Sequence, residues 1–307
     1  MELGSLSTVQ LREVLSKYGF KGANIFSLTK DDLLALANQF VTGQIPQQRE
    51  PDADIPEIPQ PEAQEIPHRE DGLHRIFGEV FRALESDAIN NVLLVGPTGT
   101  GKTHLARQVA ERMELQFYPV SVGPQTTIGN LVGFLSPSGQ LIRTPLREAF
   151  ENGGLYLLDE LDGGAPGILI GLNAHLANEY ASFPDGILHR NDSFRCIAAA
   201  NTWGRGDGLR RYVGRNKLDI ASLNRFVQIE MSYDEELEDY LVGKVLAKQM
   251  RKIRSNAEKY GLEIIVSTRN MLQVKALVER GGFSLDRALD LTIFGGIPQE
   301  QREKVIV

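Results

Sequence analysis

The run Asn91-Val92-Leu93-Leu94-Val95 gives way to Gly96-Pro97-Thr98-Gly99-Thr100-Gly101-Lys102-Thr103. A short apolar run ending in glycine has the pattern of a strand buried on both faces, as in a parallel sheet. The eight residues after it fit GxxxxGK[ST], and a helical pattern follows over 102–113. That context, strand before and helix after, is what a phosphate-binding loop requires and a chance glycine loop lacks. Its glycines let backbone N–H groups turn inward around phosphate oxygens, and the helix N-terminus adds partial positive charge. Lys102 supplies a cation to the β- and γ-phosphates, and the Thr103 hydroxyl can ligate Mg²⁺. Gly96, Pro97, Thr98, Gly99, Thr100, Gly101, Lys102 and Thr103, with His104 next on the helix, are the candidate nucleotide-binding residues.

Two more apolar runs end in polar groups. Leu155-Tyr156-Leu157-Leu158 leads into Asp159-Glu160. A strand here aims both carboxylates at the carboxyl edge of the sheet, where phosphates bind. Asp159 can hold Mg²⁺ through water, and Glu160 can polarise an attacking water. Arg195-Cys196-Ile197-Ala198-Ala199-Ala200 ends at Asn201, which could sit between the loop strand and the acidic strand and orient that water. Cys196 reads as a small core residue.

Strand patterns at 91–95, 116–122, 155–159, 193–200 and 226–231 alternate with helical ones, including an amphipathic stretch over 71–86. This alternation implies an α/β sandwich with a mainly parallel sheet. From residue 234 the pattern is helical, over 235–260, 270–280 and 285–293, with Gly281-Gly282 between the last two. The expected organisation is a helical module at 1–42, a linker at 43–68, an αβ nucleotide-binding subdomain at 69–233 and a helical lid at 234–307.

The linker holds six of the fourteen prolines, with six acids against one base, Arg49. It reads as a polyproline-type spacer. Most of the net charge of −7 lies there, so the large domain is near neutral and lacks a basic sheath for nucleic acid. One cysteine excludes an internal disulfide, and no apolar run reaches the roughly 18 residues of a membrane helix. With no signal peptide visible, a reducing, cytoplasmic setting is expected. His68, His74, His104, His175 and His189 show no metal-ligand spacing.

The glycine-rich loop, the LLDE strand, the Asn201 strand and the helical C-terminal region together resemble an AAA+ ATPase. The segments IGNLVGFLSPSGQLIRTPLREAFENGGLYLLDE, CIAAANTWGRGDGLRRYVGRNKLDIASLNRF and VSTRN resemble the MoxR-type clade, including its cobaltochelatase small-subunit-like members. The resemblance spans about residues 70–295 and implies a P-loop αβα sandwich with a helical lid. It implies ATP and Mg²⁺ as ligands, with Thr103 and Asp159 at the metal. It further implies Asn201 as sensor 1, Arg225 as the arginine offered to a neighbour's nucleotide, and Arg269 as the lid arginine called sensor 2. Arg215 is a rival for the neighbour-directed role. Residues 129–143 resemble a hairpin inserted by this clade, with Phe134-Leu135 either projecting toward a central pore or lying in the core. Residues 180–191 resemble a second insertion.

The resemblance implies a Mg²⁺-dependent, ring-forming ATPase, expected to be hexameric, that remodels a bound protein. A protein with a von Willebrand A domain is the expected partner. Residues 1–42 resemble helix–extension–helix modules of the SAP type, so a nucleic-acid motor anchored by that module is the alternative. A nucleotide switch without catalysis is a third reading, and Glu160 argues against it.

Overall fold

The computed structural model describes residues 33, 72–86, 88–204 and 215–306. The chain divides into two units, Met1–Gln64 and Glu65–Val307, and the described elements lie in the second. The module expected at 1–42 (Leu33 apart), the linker at 43–68 and the 205–214 stretch lie outside the described residues.

Five parallel strands form the central sheet: β1 (Asn91–Val95), β2 (Phe117–Ser121), β5 (Gly154–Asp159), β8 (Phe194–Ala200) and β9 (Val227–Glu230). Their order is β2-β5-β8-β1-β9. Every residue of β1 and β8 is buried, as expected for central strands covered on both faces. Alternation then splits the core in two. Leu93, Val95, Tyr156, Leu158, Cys196, Ala198 and Ala200 face one side. Val92, Leu94, Leu155, Leu157, Ile197 and Ala199 face the other.

The second face is covered by α1 (Phe77–Glu85) and α2 (Lys102–Arg112), through Val80, Leu84, Leu105 and Val109. The first face is covered by α3 (Ile128–Val132), α4 (Pro145–Asn152) and α5 (Gly167–Ala177), through Leu131, Leu146, Phe150 and Leu172. Each such fully buried leucine contributes about 1.5–3 kcal/mol. These layers make an α/β sandwich built on a parallel five-stranded sheet.

Two hairpins project from these layers. β3 (Phe134–Leu135) pairs antiparallel with β4 (Leu141–Ile142), and the Gly139 N–H closes the turn on the Ser136 carbonyl at 2.8 Å. Phe134 is 48% exposed, so it does not belong to the core. β6 (Tyr180–Phe183) pairs with β7 (Gly186–His189).

A short helix, α6 (Ile220–Leu223), precedes β9. The C-terminal region is α7 (Glu235–Val242), α8 (Lys244–Lys259), α9 (Thr268–Glu279), α10 (Leu285–Thr292) and α11 (Gln299–Ile306), packed around a third core that includes Met250, Ile253, Met271 and Val274.

The single helix expected over 235–260 is two. Gly243, at φ +86, lies outside the helical region, and its N–H caps α7 on the Asp239 carbonyl. The helix expected over 71–86 starts only at Phe77. Before it, the Arg75 N–H donates to Asp234 Oδ2 at 2.8 Å and His74 Nε2 pairs with the Ser232 carbonyl at 3.0 Å. α11 has no counterpart in the pattern read from sequence, although Pro298 just before it is a helix-start signal.

Candidate active site

β1 and β8 are neighbours, and β8 lies between β1 and β5. The loop after β1, the acids after β5 and the amide after β8 therefore meet at one carboxyl edge, where α/β sheets bind ligands. Asn201 stands between the other two because its strand does.

The loop over 96–101 wraps the N-terminus of α2. A Cβ on Gly96 would lie 2.0 Å from the Met231 carbonyl oxygen, so no other residue fits where the loop leaves the sheet. Gly99, at φ +73, passes so close to α9 that an added Cβ would meet Ser267 Cβ at 2.5 Å. The Tyr233 hydroxyl donates to the Thr98 carbonyl at 3.0 Å, and Thr100 Oγ1 donates to the Pro97 carbonyl at 3.1 Å. His104 is exposed on α2.

The Lys102 ammonium uses all three of its donors: on the Gly96 carbonyl at 2.7 Å, the Pro97 carbonyl at 2.9 Å and Asn201 Oδ1 at 2.9 Å. Burial lowers its pKa to about 8, although Asp159, Glu160 and Asp162 pull the other way. Thr103 Oγ1 donates to Asp159 Oδ2 at 2.6 Å. A hydroxyl and a carboxylate side by side are the hard oxygen donors that Mg²⁺ selects. Among the described residues no group of three His, Cys, Asp or Glu side chains could hold a metal. Thr103 and Asp159 are the residues that could contribute to holding a cation here.

Glu160 has φ +58, one of two positive values among described non-glycine residues. This left-handed conformation costs about 1–2 kcal/mol and turns the chain sharply at the end of β5. Its Oε2 ion-pairs with Arg215 Nη2 and receives Asn201 Nδ2 at 3.4 Å. Asn201 thus presents its oxygen to the ammonium and its amide hydrogens to the carboxylate.

Asp162 is a member of the site that sequence reading missed. It is fully buried and accepts from the backbone N–H groups of Asn201 (3.1 Å) and Thr202 (2.9 Å), from Thr202 Oγ1 (2.9 Å) and from Arg215 Nη1 (3.0 Å). It lies two positions past the strand-end acids Asp159-Glu160, where no apolar run or local motif singles it out.

Among the arginines singled out, Arg269 stands at the start of α9, and its Cβ lies 3.5 Å from the Cβ position built on Gly99. Behind it, Glu238 is fully buried and accepts from Thr268 Oγ1 at 2.9 Å and Arg254 Nη2 at 2.5 Å. The Arg254 guanidinium lies 3.8 Å from the Tyr233 ring centroid, so these contacts join the C-terminal helices to the loop. Arg225 is elsewhere. It precedes β9, its carbonyl accepts from Asn91 at the start of β1, and its Nη1 donates to the Ala221 carbonyl at 2.8 Å. It stands at the amino edge of the sheet, about 15 Å of strand from the loop.

Residues 91–226 match the AAA domain of the dynein-related subfamily. An uncharacterised protein of Staphylococcus epidermidis is 24% identical over 242 residues, covering 71% of this chain and 88% of that protein. One from Staphylococcus aureus is 29% identical over 161 residues, covering 48% and 57%. NtrX from Brucella abortus gives a TM-score of 0.44 at 14% identity, covering 76% of this chain and 65% of that one. The AAA match begins with β1 and ends at Phe226, so it takes in the loop, the acids, Asn201 and Arg225. Among the described residues no helix is long and apolar enough to cross a membrane.

Proposed function

We propose that the chain is a Mg²⁺-dependent ATPase that assembles into a ring, of MoxR type and hexameric, and couples hydrolysis to remodelling of a protein client. The observation that carries the hydrolytic reading is the convergence of Lys102, Thr103, Asp159, Glu160 and Asn201 on one sheet edge, bound to each other through Lys102–Asn201, Thr103–Asp159 and Asn201–Glu160 contacts. A module that only bound nucleotide would need no carboxylate beyond Asp159. Here Glu160 is held in a strained backbone turn by two donors.

In this reading the loop N–H groups bind the phosphates together with Lys102, which exchanges one of its protein acceptors for a phosphate oxygen, and Thr103 with Asp159 would hold a cation whose charge would offset that on the phosphates. Glu160 accepts a proton from water as general base. Asn201 orients the Glu160 carboxylate, and Arg269 approaches the phosphates from the lid. Arg225 serves a neighbour. Its place at the edge opposite its own loop supports that role, and a ring is the arrangement that gives every site a neighbour. The exposed apolar pair Phe134-Leu135 at the hairpin supports contact with a protein client.

The assembly is tested by light scattering of Glu160→Gln with ATP and Mg²⁺. A hexamer that falls apart when nucleotide is removed supports the proposal. A monomer at every nucleotide concentration contradicts it.

A further inference from the structure

Arg215 follows a stretch outside the described residues, yet it is fixed within its own chain. Asn216 ties the backbone down, its N–H on the Asp162 carbonyl at 2.8 Å and its Nδ2 on the Gly164 carbonyl at 2.8 Å. The guanidinium then reaches two carboxylates at once, Nη1 to Asp162 Oδ1 at 3.0 Å and Nη2 to Glu160 Oε2. Its seat is shaped for it: a Cβ on Gly163 would stand 2.9 Å from Nη1. Arg215 is 17% exposed and Asp162 is fully buried, so the Asp162 side of the grip is shielded from salt and water, while the Glu160 carboxylate is 41% exposed and open to solvent.

Among the described residues the two donors to the Glu160 carboxylate, Arg215 and Asn201, take the same oxygen, Oε2. Among the described residues Oε1 receives none. A carboxylate gripped at one oxygen by a planar, doubly anchored guanidinium has its other oxygen aimed. Asp162 holds the grip in register, because it also binds the backbone of Asn201 and Thr202.

We propose that Arg215 is a positioning residue acting in its own chain: it fixes the Glu160 carboxylate so that Oε1 faces the attacking water. This rests on the ATPase reading above. It separates Arg215 from the neighbour-directed role, because a guanidinium engaged with its own Glu160 and Asp162 is not offered to another chain.

The test compares Arg215→Ala and Arg215→Lys with wild type in the full chain. For Arg215→Ala, binding of a fluorescent ATP analogue should stay within about threefold while turnover falls about a hundredfold, the scale of a misplaced catalytic group. Arg215→Lys, which can reach only one carboxylate at a time, should recover part of that loss. In a Glu160→Gln background, Arg215→Ala should change turnover no further. Mixing Arg215→Ala with Lys102→Ala should restore nothing, since the arginine must sit beside its own Glu160. Wild-type turnover in Arg215→Ala, or recovery on mixing, would overturn the proposal. A second readout needs no hydrolysis. Without nucleotide, the Tm shifts of Arg215→Ala and Glu160→Gln should be non-additive in the double variant, and additivity would overturn the pairing. If the wild type does not hydrolyse ATP, the ATPase reading fails and this melting cycle alone decides on the Arg215–Glu160 pair.

Discussion

Lys102 carries a charge into a place that burial makes unfavourable for it. Three acceptors and three nearby acids offset that cost only in part, so its pKa is about 8 in the fold. Unfolded, a lysine titrates near 10.4. Between these two values the unfolded chain holds more protons than the folded one, so folding gains stability as pH rises through that window. Below about pH 8 the cost is fully present. The shift corresponds to at most about 3 kcal/mol. Urea unfolding at pH 7 and pH 10 should therefore show wild type gaining on Lys102→Met as pH rises. A stability difference that stays constant between the two values would show that burial does not act on this charge.

Residue chemistry was legible in the sequence where it is local. The loop over 96–103 is one contiguous motif. The ends of the acidic and Asn201 strands follow from apolar runs that stop at polar residues. Asp162 and Arg215 were not legible in the same way, because 53 positions separate two residues whose meaning is their contact. Nothing nearby marks Arg215 as the partner of Glu160 rather than of a neighbouring chain. Tyr233 was missed for the same reason: its partner, the Thr98 carbonyl, lies 135 positions away.

At the scale of elements, strand order turns separate motifs into a site. β8 inserts between β1 and β5, and that brings Asn201 to both Lys102 and Glu160. Strand runs and the helical character of the C-terminal region could be read from periodicity, whereas the break at Gly243 could not. A lone glycine inside a helical pattern is compatible with a continuous helix, and only its φ shows otherwise.

The β6–β7 hairpin is held to α5 in a way that depends on pH. His175 is buried against Phe150 and Phe183, and its Nε2 pairs with the Ser182 carbonyl at 3.2 Å. Nδ1 has no partner, so the ring is neutral and burial lowers its pKa. The unfolded chain takes up a proton near pH 6.5 that the fold resists. Stability contributed here is complete above pH 6.5 and is lost as pH falls below it. His175→Gln, which retains a donor, should flatten the fall of Tm between pH 7 and pH 5. An unchanged slope in thermal melts would place the acid sensitivity elsewhere.

For the whole molecule, the opposite placement of Arg225 and the loop has a consequence. If Arg225 completes a site, that site belongs to another chain. Arg225→Ala should bind ATP and lose most turnover, since arginines of this kind contribute about 10³–10⁵. Lys102→Ala should be inactive for lack of nucleotide. Mixed, the two should regain part of the activity, because some interfaces then pair an intact loop with an intact Arg225. Full activity of Arg225→Ala alone would remove it from the mechanism.

The central claim is that this edge of the sheet hydrolyses ATP with Glu160 as base. Steady-state phosphate release with Mg²⁺·ATP, measured on wild type, Lys102→Ala and Glu160→Gln, tests it most directly. Wild type should turn over. Lys102→Ala should neither bind nor hydrolyse. Glu160→Gln should bind ATP as wild type does and release phosphate at least about a hundredfold more slowly, within the range of general-base effects. Wild-type turnover by Glu160→Gln would contradict the claim.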